Sequence, residues 1–212
     1  CALPISDGMG DNPPAQGGIR YVNHAATGAN NGTSWTNAYK QLQDAIDAAA
    51  AGDEIWVAKG VYKPTKTHGG GLDMHKTFFV NKGIAIYGGF NGTETELAQR
   101  DFENNTTILS GDIDNNDVNA DANNIAETPA DLTGLNAFHV VWTDNTGEDM
   151  RLDGFVVTAG YASTGTQFPS FVGAGLYNSC QGQGNSSNPR ITNCRFSGND
   201  AYSGGGIENR CD

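Results

Sequence analysis

The sequence has few basic residues and no long apolar run. Lys and Arg number 12 among 212 residues, against 24 Asp and Glu, which gives a net charge of −12. An acidic surface repels phosphate backbones, so we expect no nucleic-acid partner. No stretch of about 18 consecutive apolar residues occurs, which argues against a transmembrane helix. Only 17% of residues are charged and glycine occurs 29 times. This composition is typical of a turn-rich protein rather than of a helical bundle.

Cysteine is also scarce, with four in the chain, and one of them is the first residue. Cys1 has two interpretations. The sequence is a fragment cut at an arbitrary point, or it is a bacterial lipoprotein matured at a lipidated Cys1. Residues 1–18 would then be a flexible tether, because Pro13, Pro14 and several glycines disfavour regular structure. Several acyl chains on Cys1 would anchor the protein firmly. Both interpretations are compatible with export.

Helical patterning is confined to one segment, residues 36–51. Tyr39, Leu42, Ile46 and Ala49 recur at helical spacing. Thr36 or Asn37 is the predicted N-cap, and Gly52 is the predicted end. The apolar stripe is narrow, so the helix is predicted to lie on the body of the protein rather than within it. Together with a strand that begins at Ile19, it defines a predicted N-terminal cap over residues 19–74.

The rest of the chain consists of short strand-like runs that end at Gly, Asn or Asp, and no helical pattern separates them. Strands that alternate with helices would indicate a doubly wound sheet, and that alternation is missing. A β-sandwich and a parallel β-helix remain. The predicted strand runs are DEIWVAKGVYKP, KTFFVNKGIAIYGGF, TTILSGDI, AFHVVWTD, MRLDGFVVTAGYA and PRITNCRFSGN.

An internal repeat favours the parallel β-helix. Gly175, Leu176, Asn178 and Cys180 recur 31 positions later as Gly206, Ile207, Asn209 and Cys211. Residues 151–162 also superimpose on residues 190–201, with apolar positions in common. A solenoid stacks like positions of successive coils, whereas a sandwich has no reason to reuse one side-chain order. We therefore predict β-helix coils over residues 75–212, with Asn178 and Asn209 in a ladder at a turn.

The repeat also resembles a known group of proteins. GGGI (204–207), GAGL (173–176) and FSGN (196–199) are similar to the GG-aliphatic and F-x-x-N repeats of polymorphic outer-membrane-type and related secreted proteins. The run IYGGFNGTETELAQRDFENNTTILSGDI is similar to the early coils of bacterial surface proteins with such repeats. These belong to the pectate-lyase-like superfamily. The resemblance implies a right-handed parallel β-helix and an exported protein, and it implies little about activity.

The only candidate metal site lies in the acidic stretch 111–124. Asp112, Asp114 and Asn116 follow the D-x-D-x-N opening of a calcium loop, and oxygen ligands of this kind suit a hard cation. Asp117 stands where an EF-hand has glycine and Asn123 where it has the closing Glu. The stretch is therefore no EF-hand. It is either a calcium or magnesium site or a solvated loop between coils.

The cysteines of the repeat predict a disulfide. Cys180 and Cys211 occupy one ladder position, so their Cα atoms should lie about one strand spacing apart, within bonding range. The alternative is a pair of reduced thiols stacked side by side. Cys194 aligns with Phe155 and is predicted to be a buried free thiol.

Two function classes follow from these features. The first is a non-enzymatic structural or adhesive β-helix module at the bacterial cell surface, associated with the outer membrane or extracellular. Its partners would be other protein chains or cell-surface glycans. The second is a lyase or glycoside hydrolase that acts on acidic polysaccharide, an analogy with the fold alone. We identify no catalytic residues, and we favour the first class.

The last predicted coil has no covering element in the sequence after it. Leu176, Ile191, Phe196 and Ile207 would leave an apolar end in contact with water, and terminal solenoid repeats need a cover. We therefore expect either that the chain is the N-terminal part of a longer protein or that it assembles end to end.

Overall fold

Short parallel strands make up most of this computed structural model. The structure describes residues 17–163, 169–180 and 186–211, so Cys1 and most of the predicted tether 1–18 lie outside the described residues. The strands are β1 (Ile19–Val22), β2 (Glu54–Ala58), β3 (Gly60–Tyr62), β4 (Phe78–Val80), β5 (Ala85–Phe90), β6 (Thr107–Ser110), β7 (Val141–Asp144), β8 (Arg151–Asp153), β9 (Val156–Thr158), β10 (Tyr161–Ala162), β11 (Leu176–Ser179), β12 (Arg190–Thr192), β13 (Arg195–Ser197), β14 (Asp200–Ala201) and β15 (Ile207–Asn209).

Helical structure is short. Within the described ranges there is one α-helix, α1 (Leu42–Ala48), and three single 3-10 turns at Asp73–His75, Leu97–Gln99 and Pro129–Asp131. None of these is long and apolar enough to cross a membrane. The predicted class, an all-β protein with one N-terminal helix, is therefore confirmed for the part of the chain that the structure describes.

The strands form three larger sheets and one small one. Their orders are β1-β2-β5-β8-β12, β3-β6-β9-β13, β4-β7-β11-β15 and β10-β14. Every pairing between named strands is parallel. As far as the described strands show, none of the sheets closes on itself.

Successive strands rotate among these sheets. Strand β5 lies in the first large sheet, β6 in the second and β7 in the third, and β8 returns to the first, beside β5. The strands β12, β13 and β15 complete a further pass in the same order. We predicted an N-terminal cap over residues 19–74 and coils over residues 75–212. Strand β2 lies in the first range and pairs with β5 in the second, so the first sheet spans both ranges. The β-helix is the finer interpretation of this rotation and remains a prediction.

The core is built from aliphatic register partners. Ile55, Ile86, Leu152 and Ile191 follow one another across the first sheet as paired residues. The first three of these are buried, whereas Ile191 on the last strand is partly exposed. Burial of such ladders contributes roughly 25 cal/mol per Å² of apolar surface. The core is thus continuous along the sheets and thins toward the last strands.

The repeat matches the strand register. Leu176 pairs with Ile207 and Asn178 with Asn209. The Asn178 side-chain amide donates to Asn209 Oδ1 at 2.7 Å, so this ladder lies within β11 and β15 rather than at a turn. Residues 151–162 likewise pair with residues 190–201 through β8 with β12, β9 with β13 and β10 with β14. Gly173 and Gly204, also 31 positions apart, both have positive φ, +64° and +65°, a conformation that favours glycine.

Helix α1 is shorter than the predicted 36–51, and its predicted ends are wrong. Its N-cap is Gln41, without a side-chain cap bond, and it ends before Ala49 rather than at Gly52. Tyr39 does not join the helix. Its N–H donates to Tyr21 O at 2.8 Å, so Tyr39 lies beside β1 instead. At the other end, the Asp53 carboxylate accepts the N–H of Ala50 at 3.0 Å and draws the chain into a turn. A backbone hydrogen bond to β1 therefore sets the first boundary, and a hydrogen bond to the Asp53 side chain sets the second.

The outer edges of β4 and β1 are covered. Gln43 of α1 donates to Phe79 O at 3.1 Å and accepts from Phe79 N at 2.9 Å, which satisfies the free edge of β4. The segment around Tyr39 covers β1 in the same way, because Asn23 N donates to Tyr39 O. Lys82 donates to Ile46 O and Ala49 O and so binds the last carbonyls of α1. The apolar side of α1, with Leu42 and Ile46, is fully buried in the core.

Candidate functional site

A cleft of about 500 Å³ opens between β3 and the acidic segment 110–126. Its polar lining includes His24, Lys40, Gln41, Lys63, Asp112 and Asp117. The side chains Val61, Tyr62 and Ile125 supply apolar lining. The cleft therefore combines donors, acceptors and an aromatic surface in one concave region, which is the usual chemistry of a small-molecule site.

Lys63 holds the acidic segment against the sheets. It follows β3 directly, and its Nζ donates to Asp112 Oδ2 at 2.9 Å and to Asn115 Oδ1 at 2.8 Å. The side chains of Lys63 and Asp112 are 25% and 14% exposed. An ion pair at this depth is screened less than a surface pair. Lys63 thus fixes one wall of the cleft.

The other acidic side chains are held by the segment 133–136. Asp114 Oδ2 accepts from Leu135 N at 3.0 Å and from Asn116 Nδ2 at 3.0 Å. Asp117 Oδ1 accepts from Thr133 N at 2.7 Å, and its Oδ2 accepts from Asn136 Nδ2 at 2.7 Å. These bonds hold the acidic segment against residues 133–136.

Asp117 is the electrostatically unusual group of the cleft. Burial raises the pKa of Asp117, and the neighbouring Asp112 charge raises it further, while hydrogen bonds from Thr133 and Asn136 oppose the shift. A carboxyl group that stays protonated to higher pH can donate a hydrogen bond or a proton to a ligand. The cleft therefore contains one carboxylate paired with a cation and one carboxyl with a raised pKa.

The aromatic lining is rigid. Tyr62 is buried, and its hydroxyl donates to Ala58 O at 2.8 Å. Burial raises the pKa of Tyr62, so it remains neutral. The exposed His24 ring meets the Tyr62 ring edge to face, with centroids 5.7 Å apart. The His24 imidazole thus lines the cleft, and its contact with the buried Tyr62 ring holds it in place.

The candidate calcium ligands lie at this cleft or beside it. Asp112, Asp114 and Asn116 share one loop, and each of them has a protein partner. In the ranges that the structure describes, no group of three or more His, Cys, Asp or Glu residues could hold a metal ion. Lys63 Nζ occupies the position beside Asp112 that a cation would need. The calcium site stays a prediction, and it requires displacement of Lys63.

Calcium dependence can be tested through Lys63. Because an ammonium competes for Asp112, Lys63→Met should raise the melting temperature in calcium relative to chelator by more than in the wild type. A gain of about 1 kcal/mol corresponds to a shift of about 2–4 °C for a protein of this size. Differential scanning calorimetry in calcium and in chelator measures this. Asp112→Ala with Asp114→Ala should remove the response, and melting temperatures insensitive to calcium in all variants would contradict the site.

Two of the cysteines form a disulfide and a third is a free thiol. A disulfide joins Cys180 to Cys211, with Cα atoms 5.4 Å apart. Cys194 is a free thiol and is partly buried, with a pKa raised by burial. Cys1, the candidate lipidation site, lies outside the described residues.

Sequence reasoning missed an ion pair in the core. Asp153 belongs to β8 and is buried. Its Oδ1 lies 2.9 Å from Arg100 Nη2 and accepts from Asn193 Nδ2 at 2.8 Å. Burial acts to raise the pKa of Asp153, but hydrogen bonds from Asn193 and Arg100, together with the Arg100 charge, lower it overall. The partners come from connections 40 and more residues away, and no local pattern reveals them.

Comparison with known proteins identifies no relative of this chain. No family model matches it, and neither a curated protein nor a solved structure does. The resemblance to secreted β-helix proteins therefore stays a prediction. Function has to be argued from the cleft.

Proposed function

We propose that the protein is a non-enzymatic module of the cell surface or extracellular space, and that it binds a neutral glycan in the cleft between β3 and residues 110–126. The observation that carries the proposal is the cleft itself, with its volume of about 500 Å³ and its mixture of amide, imidazole, ammonium and carboxyl groups. Oligosaccharides are recognised by such directional polar groups together with an apolar surface.

The proposed scaffold is a right-handed parallel β-helix. The rotation of successive strands among three parallel sheets supports it, as does the register match of repeats 31 residues apart. Parallel crossover connections are right-handed in about 98% of cases, which supports the hand. A rigid scaffold of this kind holds cleft residues from distant parts of the sequence at fixed positions.

The charges favour a neutral ligand over an acidic polysaccharide. The charge of Lys63 is already compensated by Asp112, which leaves Lys40 and Asp117 as one basic and one acidic group in the lining. The whole chain carries a net charge of −12, so an anionic polymer approaches against repulsion. Neutral hydroxyl-rich ligands have no such barrier.

The proposed location is the extracellular side of a bacterial membrane. The disulfide between Cys180 and Cys211 supports an oxidising compartment, because disulfides persist in secreted and surface proteins and are rare in the cytosol. A lipid anchor at Cys1 belongs to the same proposal and would place the module at the outer membrane.

Binding to a glycan array, followed by calorimetry of the ligands found, tests the function. We expect neutral oligosaccharides to bind, and His24→Ala with Lys40→Ala to weaken binding at least tenfold, about 1.4 kcal/mol. Both residues are exposed and line the cleft, so the fold should survive. Lys59→Ala removes a similar exposed lysine that does not line the cleft and should leave binding unchanged. Equal binding by all three proteins would refute the proposal.

The alternative function is a glycoside hydrolase or lyase. The raised pKa of Asp117 favours it, because burial makes this carboxyl group hold its proton to higher pH, as a general acid must. Against it, both Asp117 oxygens already accept hydrogen bonds from the protein. Release of reducing or unsaturated ends from an array ligand, abolished by Asp117→Asn, would establish this alternative instead.

A further inference from the structure

Part of the cleft lining is apolar, although much of the lining is polar. Val61 of β3 is half-buried there, and Ile125 and Ala126 are 7% and 4% exposed. Ala126 is fixed against the end of β9, because its N–H donates to Thr158 Oγ1 at 3.0 Å and its carbonyl accepts from the same hydroxyl at 3.3 Å. The cleft therefore offers a fixed apolar surface next to its polar groups.

Side-chain amides line the same cleft. Gln41, Asn119 and Asn124 are exposed and belong to its lining. Among the described residues, no protein group binds the side-chain amides of Gln41 and Asn124, and Asn119 uses only its Oδ1, which accepts from Asn124 N at 3.1 Å. Each such amide has two N–H donors and a carbonyl acceptor. These donors and acceptors are available to a ligand.

The amides are carried on an ordered backbone. Asn115 and Asn124 have positive φ angles of +61° and +63°, a conformation that asparagine tolerates better than most residues. Asn115 is also held by its side chain, because its Oδ1 accepts from Lys63 Nζ at 2.8 Å. Groups that are fixed beforehand lose less conformational entropy when a ligand binds.

We infer that the ligand of the cleft is a glycan with acetamido groups, a neutral N-acetylhexosamine oligomer. The inference rests on the proposed function and narrows it to one substrate class. An acetamido group combines an apolar methyl with one N–H donor and one carbonyl acceptor. It is therefore complementary to an apolar surface flanked by side-chain amides. A plain hexose has a hydroxyl group in that place, which would face the apolar surface.

The charges of the lining suit an uncharged sugar. Lys63 is paired with Asp112, and Lys40 and Asp117 are one further basic and one further acidic group. The balance favours neither a cationic amino sugar nor an anionic uronate. Acetylation removes the charge of an amino sugar and supplies the methyl and carbonyl groups that the cleft can bind.

Isothermal titration calorimetry with two matched oligosaccharides tests the inference. Tetra-N-acetylchitotetraose and cellotetraose share one linkage, and they differ in the acetamido group that replaces one hydroxyl of each sugar unit. We expect the acetylated ligand to bind at least tenfold more tightly, about 1.4 kcal/mol. Equal affinities would overturn the inference and leave the proposed function intact. No binding of any neutral oligosaccharide would overturn both.

The variant Val61→Thr tests the methyl contact. Threonine has the shape of valine but places a hydroxyl group on the apolar surface. It should weaken binding of the acetylated ligand about fourfold, the effect of one buried methyl group, and leave cellotetraose unaffected. Val156→Thr is the matched control. Val156 is half-buried two strands away in the same sheet, aligned with Val61 through Ile108, and does not line the cleft.

The double variant Gln41→Glu with Asn124→Asp tests the amides. A carboxylate still accepts from sugar hydroxyls but cannot donate to the acetyl carbonyl, so the acetylated ligand should lose at least tenfold in affinity and cellotetraose less. Asn81→Asp makes the same kind of change at an exposed asparagine outside the cleft and should leave binding unchanged. Circular dichroism verifies that each variant folds. Folded Val61 and amide variants that keep the wild-type preference for the acetylated ligand would overturn the inference.

Discussion

Replacing Leu42 by aspartate should destabilise the protein by about 5 kcal/mol or more and expose the covered end to aggregation. Leu42 is 1% exposed and packs in the main core under the first strands. Loss of a buried leucine alone costs about 2–5 kcal/mol, and an unpaired carboxylate in its place adds a further penalty. Since whole domains are stable by only about 5–15 kcal/mol, most of the stability should be lost. Urea unfolding and light scattering measure both effects.

A substitution on the same helix provides the control. Ala48 is exposed in the last turn of α1, so Ala48→Asp adds the same charge without entering the core. Its cost should stay near 0.5–1 kcal/mol, the usual effect of an acidic side chain at a helix C-terminus. A Leu42→Asp protein as stable and as monomeric as Ala48→Asp would show that α1 has no capping role.

Acid should destabilise the protein through His139. Burial lowers the pKa of His139 from 6.5 to about 4, and the nearby His75 contributes in the same direction. The unfolded chain takes up this proton near pH 6.5 and the folded chain only near pH 4. The stability from His139 is therefore complete above pH 6.5 and is lost as the pH falls toward 4, a total of about 3 kcal/mol.

The variant His139→Asn isolates this contribution. Asparagine cannot titrate, and its amide can donate to Gly173 O, the partner that His139 Nδ1 meets at 3.1 Å. The variant should be less stable at pH 7, because the stacking of His139 on Tyr177 is lost, and its stability should change less with pH. The measurement is the unfolding free energy from pH 7 to pH 4. A His139→Asn slope equal to that of the wild type would contradict the assignment.

The strands could be predicted from sequence because their positions repeat. Leu152 and Ile191 were aligned from the pattern alone, and they are register partners in the first sheet. The same holds for Leu176 and Ile207 in the third. Stacked parallel strands place like side chains above one another, so a periodic sequence carries the register in itself.

The cleft could not be predicted, because no periodicity connects its parts. Lys63 and Asp112 are separated by 49 residues, and the segment that bears Asp112 is an insertion between strands.

The predicted boundaries of the helix were wrong for a related reason. Alanines up to residue 51 favour a helix by intrinsic propensity, but the Asp53 carboxylate, which also accepts the N–H of Gly18, binds the Ala50 N–H and ends it. The distant Gly18 thus helps to place the Asp53 carboxylate, and the hydrogen bond of Asp53 to Ala50 overrides the local helix propensity.

The bond between Cys180 and Cys211 has a mechanical consequence. A pulling force applied at residue 211 passes through the sulfur atoms to Cys180, because the covalent path across the disulfide is shorter than the path along the chain. The residues between the two cysteines, including β12, β13 and β14, then carry no tension. Extension from this side must begin by detaching β11, which is paired on both edges, by β7 and β15. A protein built in this way resists being peeled apart strand by strand under a pulling force.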